Sequence, residues 1–438
     1  MSDIKGKVLF EVTHNEQISQ FTYLFSGSLK SKKTIVTNLI FKVGANVVAE
    51  AEVNLPNKKT KNDLKELQGW NKLRSTFAYW CGKFLYKFNL VEFASKNPWK
   101  AFLFSRFYLS GFEQKLNVFD FPSGETVVDV YVNTSELTKI YDFKIERKPL
   151  SIIDLSKRNF SPIISTSIGR SGSTWLQHLL GSHSNISAYN DATYELNVAR
   201  DIVNSMVDYL DKGPFSKDYW RNVKTKDRES VLDKVETWNN TSINNALEKI
   251  EELYSVNSDG VLSEYPKYYT EKNLNPVYFY REAYKGAKEI FLVRDFRDVV
   301  TSMIAANKAW GRNAFGRSKV NSDEEMIKYR AKIARPWLLD TWRQRQYDSL
   351  LVKYEELILS PKETLNDILA FLDLDHSSDA INRLLQRAQK SDDSIRSSHI
   401  TSGKVKKSVN RWQRDLSPEL IELTELEFKD FFIEFGYN

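Results

Sequence analysis

In the first fifty-five residues, apolar and polar positions change places in short runs. Residues 7–12, 20–25 and 34–41 are rich in β-branched and aromatic side chains and end at polar or glycine clusters, which predicts strands. Residues 47–55 alternate apolar with polar positions, as a half-buried strand does. From about 62 to 110 the spacing becomes helix-compatible, with a break at Pro98, and strand-like runs return at 126–132 and 141–145. The pattern predicts a β-rich accessory domain over 1–150 carrying a helical insertion.

After a polar connector from 146 to 159 the period changes. Residues 162–167 form a short buried-type strand, followed by a Gly/Ser turn and a helix over 173–180. A second such strand at 289–293 runs into a helix from Asp298, and a third lies at 350–354. Strands this far apart, with helical text between them, predict an α/β domain over 160–438: a parallel sheet flanked by helices.

Composition narrows the class. Of 438 residues, 41% are hydrophobic, too many for a disordered chain, and 17 glycines with 11 prolines do not suit a fibrous one. The single cysteine, Cys81, excludes an internal disulfide framework and a multi-cysteine metal site, and it suits a reducing compartment. No run approaches the ~20 apolar residues that span a bilayer, and the start has no basic-then-apolar leader, so a cytoplasmic location is expected. The net charge of +6 is concentrated in the first third, where 1–150 holds about 22 basic and 15 acidic residues. Within it, residues 70–112 mix seven cations, Lys72 and Arg106 among them, with many aromatics. That mixture fits an anionic polymer or peripheral membrane contact, or a helical hairpin whose lysines are simply solvated. No nucleic-acid partner is expected.

The chemistry concentrates in two places. Residues 168–176 place a small-residue turn between a buried strand and a helix N-terminus, the shape of a phosphate-binding loop, where backbone N–H groups curl around an anion. Ser173 and Thr174 add hydroxyl donors. The Gly-x-x-x-x-Gly-Lys-Ser/Thr signature is absent: the cation is Arg170, ahead of Gly172. The plainer alternative is a Gly/Ser turn capping an ordinary helix. The second place ends the strand 289–293 with Arg294 and sets Ser302 eight positions later, one turn into the following helix. An arginine fork with a hydroxyl suits a phosphate monoester, whereas a surface salt-bridge cluster would contribute little.

Taken together these blocks resemble the sulfotransferases that use 3′-phosphoadenosine 5′-phosphosulfate (PAPS). Arg170-Ser171-Gly172-Ser173-Thr174-Trp175 is similar to the family's 5′-phosphosulfate loop, in a form closer to the carbohydrate sulfotransferases. Arg294 through Ser302 is similar to its 3′-phosphate motif. Residues 353–357, followed by Ser360-Pro361, fit a third block, and 408–412 resembles the basic loop that closes over the nucleotide. The resemblance covers about 160–438. It implies a P-loop-type fold, PAPS as co-substrate, no required metal, and transfer of a sulfuryl group to a hydroxyl of a carbohydrate or glycolipid acceptor.

It also implies roles. Arg170, Ser171, Gly172, Ser173 and Thr174 bind the 5′-phosphate; Trp175 packs against the adenine or in the helix core; Arg294 and Ser302 hold the 3′-phosphate; Lys406, Lys407 and Arg411 close the site. A carboxylate after the loop helix, Glu195 ahead of Asp191, is the general base, and His183 is assigned to a turn. Lys272, in a Glu-Lys pair lacking the family's following proline, neutralises the transferring group or is a solvated lysine at a helix end. The glycine-hinged segment 310–317 is expected to be a loop at the acceptor. Competing readings are a magnesium-dependent P-loop kinase or NTPase, and a non-catalytic protein binding an anionic glycan or membrane.

Overall fold

The computed structural model describes residues 2–4, 8–19, 22–31, 38–44, 46–53, 111–119, 121–133, 137–150, 160–189, 194–212, 228–255, 266–311, 313–390 and 405–437. The helix-compatible stretch 62–110, and with it nearly all of the basic, aromatic segment 70–112, lies outside the described residues. The chain divides into two compact units, Met1–Pro149 with Tyr209–Trp238, and Leu150–Asp208 with Asn239–Asn438.

The first unit holds two antiparallel four-stranded sheets. One runs in the order β1 (Ser2–Ile4), β2 (Val8–Ser19), β3 (Thr22–Ser31), β6 (Gly111–Asn117). The other runs β5 (Asn46–Glu52), β4 (Asn38–Val43), β7 (Gly124–Asn133), β8 (Leu137–Arg147). Both turn one face to a common core: Phe10, Phe25 and Phe112 from the first sheet meet Phe41, Val128 and Phe143 from the second. Phe25 stacks on Phe143 with ring centroids 4.6 Å apart, a contact worth about 0.5–1.5 kcal/mol beyond its area. β6 was not expected as a strand from the sequence.

The second unit is built on a five-stranded parallel sheet in the order β10 (Ile186–Ser187), β11 (Tyr268–Glu271), β9 (Ser161–Ser167), β12 (Lys288–Val293), β13 (Ser349–Lys353). Alternation along β12 shows that both faces are covered. Ile290 and Leu292 pack with helices α1 (Ser173–Gly181), α9 (Pro361–Phe371) and α10 (Ser378–Lys390), while Phe291 and Val293 pack on the opposite side. There they meet α5 (Phe296–Trp310), α6 (Asp323–Ala334) and the C-terminal α12 (Pro418–Glu427) and α13 (Lys429–Phe435). Such a strand reads as a nearly continuous apolar run. Its one acid, Glu289, is fully buried and neutralised by Arg281 and Arg345 at 2.9 Å each, with Thr166 donating at 2.6 Å. α5 starts at Phe296 instead of Asp298 because the Asp295 carboxylate accepts the Arg297 N–H and caps it. Among the described residues no helix is long and apolar enough to cross a membrane.

Candidate active site

Parallel strands place all their carboxyl ends along one edge of the sheet, where open α/β folds receive ligands. The turn 168–172 leaves β9 there, Lys272 follows β11, Arg294 follows β12, and Tyr354 follows β13. Residues scattered over more than 180 positions of sequence therefore share one rim.

The turn is made by two left-handed residues, Arg170 at φ 73° and Gly172 at φ 97°. A non-glycine residue in that region carries strain of about 1–3 kcal/mol, which persists where surrounding contacts fix it. Gly172 is fixed by a neighbour as well: a Cβ there would come within 2.2 Å of the Tyr354 ring. From Gly172 the chain enters α1, whose first N–H groups point into the turn. Ser173 is buried and Thr174 half-buried. Trp175 packs onto the hydrophobic cluster of that face, its ring 5.4 Å from His178.

Arg170 reaches across the rim and donates from Nε to Ser302 Oγ, at 2.9 Å, on α5. Arg294 donates to the Arg170 carbonyl at 3.1 Å and to the Ser408 carbonyl at 2.6 Å. Ser302 thus accepts from Arg170, while the terminal nitrogens of Arg294 go to these two carbonyls. Burial first, and then the charges of Arg294 and Arg411, push the Arg170 guanidinium down to about 10. Three cations thus crowd one rim, a field that favours a polyanion. Among the described residues, Ser171 Oγ and Arg294 Nε are buried without a hydrogen-bond partner. Both are donors at the turn, as a phosphorylated ligand requires.

The start of α5 also organises the segment 405–415. Asp298, pushed up to about 6 by burial against the pull of Arg294, accepts the Trp412 N–H at 2.8 Å. Arg297 is paired with Asp295 at 2.7 Å and lies 4.0 Å from the centre of the Trp412 ring. Tyr354 shares a hydrogen bond of 2.9 Å with Ser408 Oγ, and its ring lies 4.7 Å from the Arg294 guanidinium. Arg411 is buried and bonded to Asp415 at 2.5 Å, whereas Lys406 and Lys407 are exposed. Tyr354, Ser408 and Trp412 link these segments; the sequence placed them in the blocks 353–357 and 408–412 but gave none of them an individual role. The signals for Tyr354 were that block and its position at the carboxyl end of a strand.

On the other flank of the turn, Lys272 donates to Glu195 at 2.5 Å; the lysine is largely buried and the carboxylate half exposed. Asp191 lies outside the described residues. His183 accepts the Asn185 N–H on Nδ1 at 3.1 Å, a turn contact. Glu271, next to Lys272, is 3% exposed; it accepts from the N–H groups of Ala199 and Arg200 and from the Tyr254 hydroxyl. Burial pushes it up to about 7, against the pull of those donors. Beyond Ser302, the rings of Trp310 and Phe315 lie 5.6 and 6.0 Å from the Arg170 guanidinium, and Asn307 pins Ala314 at 2.8 Å. Arg312 is outside the described residues.

Residues 162–378 match the family described as the Sulfotransferase family. Among solved structures the chain is similar to the sulfotransferase domain of an olefin synthase from Synechococcus, at 16% identity over 62% of this chain and 96% of that one, with a TM-score of 0.35. It is likewise similar to a mouse sulfotransferase complexed with PAP (13%, 61% and 85%, TM-score 0.35) and to one from Mycobacterium avium (12%, 65% and 79%, TM-score 0.35). No curated protein matches the sequence. Residues 162–378, borne on that P-loop-type parallel sheet, belong to the sulfotransferase family, enzymes that take their sulfuryl group from PAPS.

Proposed function

We propose that this enzyme transfers the sulfuryl group of PAPS to a hydroxyl of a carbohydrate or glycolipid acceptor. The observation that carries the donor assignment is the contact between two strand ends: Arg170 on Ser302, and Arg294 on the Arg170 carbonyl. A donor with phosphate at both ends needs two cationic grips in one rim. Arg170, the N–H groups of 171–174, Ser173 and Thr174 take the 5′-phosphate; Arg294 and Ser302 take the 3′-phosphate; Lys406, Lys407 and Arg411 lie over them.

In the transfer, the acceptor oxygen forms a bond to sulfur as the bond from sulfur to the 5′-phosphate oxygen breaks. The acceptor proton passes to Glu195, or to its rival Asp191, and Lys272 balances charge on the sulfuryl oxygens. Charge grows on the departing phosphate, so the grip of Arg170 strengthens in the transition state, which is what accelerates the step. The aromatic pair Trp310 and Phe315 suits the face of a sugar ring. The basic N-terminal unit, including the segment 70–112 at an anionic membrane, is assigned to acceptor placement, and the lone cysteine to a cytoplasmic setting.

Calorimetry with PAP, AMP and ATP, with and without EDTA, tests the donor assignment. PAP should bind at least tenfold more tightly than AMP, unaffected by chelation, and Arg294→Ala should erase the difference; equal binding of PAP and AMP overturns it. Transfer of labelled sulfate to glycan hydroxyls should vanish in Glu195→Gln while PAP binding persists.

A further inference from the structure

Glu195 and Lys272 come from segments 77 residues apart, and their meeting depends on two buried side chains that the transfer step does not use. Asn197 stands just before α2 (Val198–Lys212), its carbonyl accepting the Asp201 N–H at 3.0 Å, which makes it the N-cap residue. An asparagine there ordinarily turns its amide onto its own helix. This one reaches outward. Nδ2 donates to the Glu195 carbonyl at 2.6 Å, and Oδ1 accepts the Asn273 N–H at 3.2 Å. The N–H groups of Ala199 and Arg200 are served instead by the carboxylate of Glu271, at 2.5 and 3.1 Å. Each segment thus lends the other a side chain. Asn197 is 2% exposed and Glu271 3%, so both of the side chains exchanged are buried.

The exchange brackets the ion pair. Asn197 holds the residue two before it, Glu195, and the residue directly after Lys272; Glu271 is the residue directly before Lys272. We infer that Asn197 and Glu271 form a reciprocal clamp that positions the Glu195 carboxylate against the Lys272 ammonium. The inference rests on the reading of Glu195 and Lys272 as the transfer pair. Neither clamp residue is a catalytic residue; each acts through the backbone on either side of the pair. A displacement of about 1 Å at reacting groups costs on the order of a hundredfold in rate, so the clamp shows in turnover and not in donor binding.

The probe is PAPS itself, with water as acceptor and PAP release as readout, beside PAP affinity and melting temperature. Asn197→Asp keeps the shape and the acceptor to Asn273 but removes the donor to Glu195. Asn197→Ser, short of both partners yet a good cap, serves if the aspartate variant does not fold. Either should lower kcat at least tenfold, with the KM for PAPS and the PAP affinity within about twofold of wild type. Wild-type turnover in Asn197→Asp and Asn197→Ser, with Glu195→Gln inactive, overturns the clamp and leaves the transfer pair standing. A parallel fall in PAP affinity and kcat also overturns it, as a merely structural effect. Unchanged PAP release in both Glu195→Gln and Lys272→Ala overturns the pair and the clamp together.

Discussion

Tyr354 shows how one residue can serve three parts of a site. Its ring closes against Gly172, faces the Arg294 guanidinium at 4.7 Å, and carries a hydroxyl bonded to Ser408. These contacts are separable by substitution. Tyr354→Phe keeps the ring and loses one hydrogen bond, so stability should fall by about 0.5–1.5 kcal/mol and PAP affinity by less than tenfold. Tyr354→Ala empties the space beside Gly172 and should lower PAP affinity by tenfold or more; equal effects of the two variants in calorimetry would refute this division. The residues legible beforehand were those gathered in two short motifs, although the bond that joins the motifs, Arg170 to Ser302, is written in neither. Arg170 and the hydroxyls after Gly172 form one turn, and Arg294 and Ser302 one strand-to-helix junction. Tyr354, Ser408 and Trp412 act over more than fifty residues of chain, and no local spacing records that.

At the scale of elements, burial decided what could be read. β9, β12 and β13 are apolar runs and were recognisable; β11 is Tyr-Tyr-Thr-Glu, and β10 has two residues. Both are too short to show a period, yet β11 delivers Glu271 and Lys272. Glu271 links this short strand to α2 and carries a pH signature. Its folded value, raised to about 7 from 4.5, means that the folded state holds the proton more tightly than the unfolded chain. The stability contributed by that proton is complete below about 4.5 and is lost as pH rises through about 7, a change of about 3 kcal/mol. Glu271→Gln has no proton to lose. Denaturant unfolding from pH 5 to 8 should therefore show the wild type losing stability relative to the variant, whatever their fixed offset. A constant difference across that range would contradict the assignment.

For the whole molecule, the division into a β-rich part and a parallel α/β part follows from the change of hydrophobic period near residue 150. The grouping of 209–238 with the first unit does not, since helical text carries no address for the surface it covers. Ligand linkage gives a test at this scale: PAP at a hundred times its Kd should stabilise the protein by about 2.7 kcal/mol, seen as a raised melting temperature that is clearly smaller in Arg294→Ala at the same PAP concentration. An equal rise in that variant would place the nucleotide elsewhere. The order of the sheet has a final consequence. The strand that feeds the phosphate turn lies in the middle, with Arg294 and Tyr354 on the β12–β13 side and Lys272 and Glu195 on the β10–β11 side. Under the proposed function, a change after β10 or before β11 would therefore alter the Glu195–Lys272 pair while leaving the proposed donor grip of Arg170, Arg294 and Ser302 in place.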